Sequence, residues 1–165
     1  RLVISETRQV SPRKWPPELK CRRRMHYYLA AREARARDPA ARALLLDLDG
    51  FVSEASTANV FAYIQDEGFV SPLRSKILPG VTLDVLRDLA GDLGWTFRER
   101  DLLPADLCAA DEVLLCSTSP CLLPVVSLDG QPIGHGRPGP AFHRLLRAFG
   151  NGVGVDIAEQ ARRCA

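Results

Sequence analysis

The chain has 165 residues, 46% of them apolar and 25% charged, which suffices for one domain with a packed core and excludes a disordered segment. Its formal charge of +2 is too small for a nucleic-acid footprint, because the one dense basic run, Arg22-Arg23-Arg24, abuts an apolar helical pattern. No apolar stretch approaches the roughly 20 residues of a membrane span and the N-terminus lacks the apolar core of a signal peptide, so a cytoplasmic chain with neither nucleic-acid nor membrane partners is expected.

The run Arg1-Leu2-Val3-Ile4-Ser5 reads as a strand, opening the chain without an initiator Met, as in a piece of something longer. Three prolines between Ser11 and Pro17 mark a connection. A helix is predicted over Met25 to Arg37, with Met25, Tyr28, Leu29 and Ala36 as its apolar positions and Asp38-Pro39 as its stop. Arg42 to Leu48 then forms a buried strand, turns at Asp49-Gly50 and resumes at Phe51-Val52, a hairpin signal. Asn59 to Ile64 is the next strand, Asp66-Glu67-Gly68 its turn and Phe69 to Ser71 its return. Leu83, Val85, Leu86, Leu89 and Ala90 predict a helix starting near Val81 and stopping near Gly91 or Gly94. A strand at Trp95 to Arg100, a helix at Pro104 to Ala109, strands at Glu112 to Ser117 and Pro124 to Leu128, an Asp129-Gly130 turn and a helix from Gly139 to Phe149 complete the series.

The five cysteines (21, 108, 116, 121 and 164) lack paired metal-ligand spacing, so no metal site is expected and the thiols read as reduced and mostly buried. Among 22 basic residues only Lys14, Lys20 and Lys76 are lysines, and a lysine kept against that bias is a candidate for a role that needs its amine. Of the three histidines, His26 lies near Lys20, while His135 and His143 read as surface or packing residues.

Two chemistries compete. Asp47-Leu48-Asp49-Gly50 puts two carboxylates on one face at a strand end, as in the first motif of haloacid-dehalogenase phosphatases, and Leu114 to Ser117 could pass for their second. Asp-Gly is also a common hairpin turn, recurring at Asp129-Gly130, and no downstream acidic pair follows residue 117 to hold the metal. The alternative is a constellation: Lys20 ahead of a helix, Glu54 after a hairpin, Val81-Thr82 at a helix start and Ser117-Thr118 at a strand end. These are the parts that pyridoxal phosphate requires, namely an amine for its aldehyde, a carboxylate for its ring nitrogen, and amides with hydroxyls for its phosphate.

The segments Glu54-Ala55-Ser56-Thr57-Ala58-Asn59-Val60-Phe61, Ile77-Leu78-Pro79-Gly80-Val81-Thr82, Ala110-Asp111-Glu112-Val113 with Ser117-Thr118, and Gly136-Arg137-Pro138-Gly139-Pro140 follow one another as in the class IV (fold-type IV) pyridoxal-phosphate aminotransferases, which this chain resembles from about residue 5 to 150. Lys20, 13 residues before Glu33 and 34 before Glu54, matches that family's Schiff-base lysine. The resemblance implies that Lys20 is catalytic and moves the proton between substrate and cofactor, and that Glu54 pairs with the ring nitrogen. It further implies that Leu78 packs on the ring, and that Gly80, Val81 and Thr82 with Ser117 and Thr118 hold the phosphate.

Leu83 stands where the family usually has Arg, and Ser119-Pro120-Cys121-Leu122 departs from the usual sequence after the hydroxyl motif. The implied fold is mixed α+β and α/β: the C-terminal domain of the D-amino-acid-aminotransferase-like fold, a strand-rich pseudobarrel with surrounding helices, its N-terminal domain missing. Residues 1–19 would end the interdomain connection, 20–150 form the cofactor-binding domain and 151–165 a tail. The implied activity is amino exchange between a branched-chain amino acid and 2-oxoglutarate in a homodimer, weak in the isolated chain. The alternatives are a 4-amino-4-deoxychorismate lyase, which uses the same lysine, a noncatalytic fragment, and the phosphatase.

Overall fold

The computed structural model describes residues 1–20 and 24–163. In chain order it contains β1 (Leu2–Ile4), α1 (Met25–Arg37), β2 (Arg42–Leu46), β3 (Val52–Ala55), β4 (Asn59–Ile64), β5 (Gly68–Ser71) and α2 (Val81–Asp92). There follow β6 (Phe97–Glu99), α3 (Pro104–Ala109), β7 (Glu112–Ser117), β8 (Cys121–Val125), β9 (Ser127–Leu128), β10 (Gln131–Pro132), α4 (Pro140–Val153) and α5 (Ile157–Arg163). Two five-stranded sheets result, ordered β10-β9-β1-β2-β3 and β6-β5-β4-β7-β8.

The period-two geometry of a strand explains how these short runs build several layers. Val60 and Ala62 of β4, Val113 and Leu115 of β7, and Leu44 and Leu46 of β2 join one buried cluster between the sheets. The alternate residues Phe61, Leu114 and Cys116 face outward against Leu83, Leu86 and Ala90 of α2 and Ala141, Phe142 and Leu145 of α4. On the other side, Ala43 and Leu45 of β2 pack with Ala30 and Ala34 of α1. Both faces of the central strands are therefore covered, which is why their sequences are continuously apolar. Each fully buried leucine contributes about 2–3 kcal/mol of apolar transfer energy.

Several expectations change. The face that α1 buries is Ala30 and Ala34, with Tyr27 partly buried, whereas Met25 (66% exposed), Tyr28 (63%) and Ala36 point away. Small residues let this helix lie close on β2, so its contact surface carries no large apolar stripe. The strand foreseen over Pro124 to Leu128 is two: Val125 pairs with Val113 in one sheet, and Leu128 pairs with Leu2 and Gln131 in the other. The last long helix runs past Phe149 to Val153 and ends at Gly154 in the left-handed region (φ 70). Residues 151–163 thus hold the end of α4 and α5. Among the described cysteines only Cys116 is buried, Cys121 is half-buried and Cys108 exposed; Cys21 and Cys164 lie outside the described residues.

Two carboxylates lock helices to the sheets. Glu112, buried on β7, accepts hydrogen bonds from the Ala141 (2.7 Å) and Phe142 (2.9 Å) amides at the start of α4. Gly139 leaves the room, since a Cβ there would lie 2.3 Å from Glu112 Cδ. Glu112→Ala strands those two amides and is expected to lower stability by about 2–4 kcal/mol in urea denaturation; a loss near zero would refute the cap.

Glu33 on α1 accepts from the hydroxyls of Ser5 and Thr7 (both 2.5 Å) and the amides of Glu6 (2.9 Å) and Thr7 (3.2 Å). Burial alone would raise its carboxyl, but these bonds outweigh that and pull it down to about 2 from an ordinary 4.5. A depressed carboxyl stabilises the fold above its unfolded value, and the gain is lost as pH falls from about 4.5 through about 2. Glu33→Gln should cost about 1–2 kcal/mol at neutral pH, allowing for solvent screening, with the deficit shrinking across that acid window when melting is followed against pH.

Candidate active site

Glu54 sits on β3 with 3% of its surface exposed. Its Oε1 accepts from Gln9 Nε2 at 2.6 Å and from the Tyr27 hydroxyl, and Gln9 Nε2 also lies 2.8 Å from the Tyr27 oxygen. Burial pushes the Glu54 carboxyl up, against the opposing pull of Tyr27, Arg24, the Leu78 amide and Gln9. Burial and the adjoining Glu54 charge push the Tyr27 phenol up to about 12. The Arg24 guanidinium lies 4.2 Å over the Tyr27 ring.

Across the cavity, α2 begins without a side-chain cap: Gly80 is its extended N-cap residue (φ −76, ψ 126), so the amides of the first turn keep their donors. Asn59, buried on β4, braces this entry. Its Nδ2 donates to the Leu78 carbonyl (2.8 Å), and a Cβ on Gly80 would come within 2.1 Å of its Oδ1. Further back, Lys76 Nζ is paired with Asp47 (2.9 Å) and Asp101 (2.6 Å), while Ser53 Oγ donates to the Lys76 carbonyl (3.1 Å). The segment leading into α2 is therefore fixed from several sides.

The phosphatase motif has another use. Asp47 accepts the Asp49 (3.0 Å) and Phe51 (2.9 Å) amides, making a turn, and its remaining oxygen holds Lys76. Lys76 is thereby committed to two carboxylates, which raise its pKa against the opposing effect of burial. Lys14 borders only a neighbouring cavity of about 420 Å³, together with His26. Lys20 is exposed and borders both that cavity and a second of about 380 Å³.

All eight candidate residues line the second cavity: Lys20, Glu54, Leu78, Gly80, Val81, Thr82, Ser117 and Thr118. Ser117 closes β7 and Thr118 follows in the turn to β8. Sequence reasoning gave no role to Gln9, Tyr27 or Asn59. Tyr27 is hidden in a helix pattern, Gln9 lies in an irregular loop, and Asn59 stood inside a recognised block with nothing to single it out. The lining brings together a buried acid, an amine, and the uncapped amides of α2 with hydroxyls, a set suited to a flat anionic heterocycle with a basic ring nitrogen.

This set is carried by two mixed sheets flanked by helices. The family described as amino-transferase class IV matches residues 1–128. The branched-chain-amino-acid aminotransferase of Escherichia coli strain K12 is 39% identical over 106 residues, 64% of this chain and 34% of that protein. The D-alanine aminotransferase of Bacillus licheniformis is 33% identical over 125 residues, 76% of this chain and 44% of that one. Among solved structures, the T.th. branched-chain amino acid aminotransferase complexed with N-(5'-phosphopyridoxyl)-L-glutamate superposes with a TM-score of 0.85 at 32% identity, covering 91% of this chain and 51% of that one. The Thermobaculum terrenum branched-chain amino acid aminotransferase in its PLP form gives 0.84 at 28% identity, covering 95% and 52%. This chain belongs to the class IV aminotransferase family, and it spans about a third to a half of the length of these relatives.

Proposed function

We propose that the chain is the pyridoxal-phosphate-binding domain of an aminotransferase, exchanging the amino group of a branched-chain amino acid with 2-oxoglutarate in a cytoplasmic homodimer. The reading rests on one observation: eight residues drawn from four separated stretches border a single cavity, with a buried acid and an uncapped helix start among them. The donor set fits the group, because Gly80 leaves the α2 entry open where a Cβ would collide with Asn59. When bound, the cofactor supplies an aldehyde that condenses with amines and a cationic ring that draws electrons from the substrate Cα.

The chain's residues then divide the work. Lys20 Nζ would be the amine that holds the aldehyde and, when free of it, would carry the proton from the substrate Cα to the carbon that bore the aldehyde. Glu54, as an acceptor, keeps a proton on the ring nitrogen. The first-turn amides of α2, the Thr82 hydroxyl and the Ser117 and Thr118 hydroxyls bind phosphate, helped by the helix dipole. Leu78 excludes water from one ring face.

Incubation of the protein with pyridoxal phosphate, borohydride reduction and peptide mapping is expected to place the label on Lys20, with at most weak amino exchange between leucine and 2-oxoglutarate in the protein not treated with borohydride. A label on Lys14 or Lys76 overturns the site. Pyruvate release from 4-amino-4-deoxychorismate without amino exchange assigns the lyase reaction instead.

A further inference from the structure

The side-chain hydrogen bonds around Glu54 are unevenly shared. Both donors, Gln9 Nε2 and the Tyr27 hydroxyl, go to Oε1, and Oε2 accepts from no side chain among the described residues although Glu54 borders both cavities. The Gln9 amide has a fixed orientation, because its Oε1 accepts the Val10 amide (3.1 Å), so its Nε2 end must face Glu54. The Gln9 backbone is in turn tied to the Leu46 carbonyl of β2 at 2.9 Å. Oε1 holds both side-chain donors and the Leu78 backbone amide also draws on the carboxyl, so Oε2, with no side-chain partner among the described residues, is the oxygen left to carry a proton.

We propose that Gln9 and Tyr27 are positioning residues that hold Glu54 with Oε2 as its only proton-exchanging oxygen, aimed at the ring nitrogen of the bound heterocycle. The inference deepens the functional reading above and rests on it for the identity of the ligand, but the arrangement of donors is a property of the chain alone. It predicts that proton exchange at the ring nitrogen runs through one oxygen, and that the two donors help set the basicity of the acid. The charged and titratable groups around Glu54 are His26 and Tyr27 on α1, Arg24 just before it, Lys20, Glu18 and Lys14 from the preceding loop, and Lys76 from the segment before α2. Lys76 is held by Asp47 and Asp101, so it does not compete for Glu54.

The test is the titration of Glu54 itself, followed by carboxyl ¹³C NMR in glutamate-labelled protein without added cofactor, the signal being assigned by its loss in Glu54→Gln. Tyr27→Phe keeps the ring and removes one charge-assisted donor, and Gln9→Met removes the other at nearly the same volume. Each is expected to raise the Glu54 pKa by about 1–2 units. With pyridoxal phosphate added, each variant should also move the pH dependence of the visible absorption, while borohydride labelling of Lys20 persists. Gln9→Glu, which places a like charge beside the acid, should raise the titration further.

If both Tyr27→Phe and Gln9→Met fold with native circular dichroism and leave the Glu54 titration in place, the positioning role is wrong. A shifted titration in a protein whose Lys20 takes no label leaves the donor arrangement standing and overturns the cofactor reading, so the two failures are distinguishable.

Discussion

Lys20→Ala is expected to lower the rate of amino exchange by at least about 10³-fold and to remove the borohydride-stable label. The argument follows from what each lysine is free to do. Lys76 is bound to two carboxylates and Lys14 does not reach the second cavity, whereas Lys20 borders both cavities. Lys20→Arg separates charge from chemistry: the guanidinium stays protonated and forms no imine, so the loss should be as deep as for alanine. Rates near wild type in the arginine variant would mean that Lys20 serves only as a cation. The measurement is 2-oxo acid production under saturating cofactor, with melting temperatures showing that the exposed site tolerates the change.

Glu54→Gln is expected to reduce turnover roughly 10²-fold while leaving cofactor binding largely intact. The amide matches the acid in size, so the buried position stays filled. Its carbonyl oxygen can still accept from Gln9 and Tyr27, and that choice turns the amide nitrogen toward the cavity. A donor then faces a ring nitrogen that needs an acceptor, and the electron-withdrawing state of the ring is lost. The end proposed to bind phosphate, at α2 and the β7–β8 turn, is untouched. Equilibrium titration with the cofactor and steady-state kinetics together test this, since equal losses of affinity and turnover would point to a collapsed pocket instead.

Much of the framework was legible because local signals were unambiguous. The limits of α1, β4, α3 and β7 follow from a pre-proline stop, an Asp-Glu-Gly turn, a proline at a helix start and an apolar run, and each element appears where those signals put it. The break at Val126 was illegible, because Val125 and Leu128 serve different sheets while the residues between them read as one strand. Nor could sequence identify the buried face of α1, where Ala30 and Ala34 meet β2 in a run already rich in alanine. The chemistry-bearing side chains stood out by type, but their supports did not. Gln9 and Tyr27 gain meaning only from Glu54, which lies 45 and 27 residues away in the chain.

The bracing of the α2 entry has a consequence for how the molecule can come apart. Lys76 fastens that entry to the β2–β3 turn through Asp47, and Asn59 fastens it to β4, so the two sheets grip the same few residues. Competence to capture a ligand and integrity of the sheet pair therefore belong to one cooperative unit. In hydrogen exchange the amides of β2, β4 and the entry to α2 should open together, and a ligand seated there would slow all of them by a common factor.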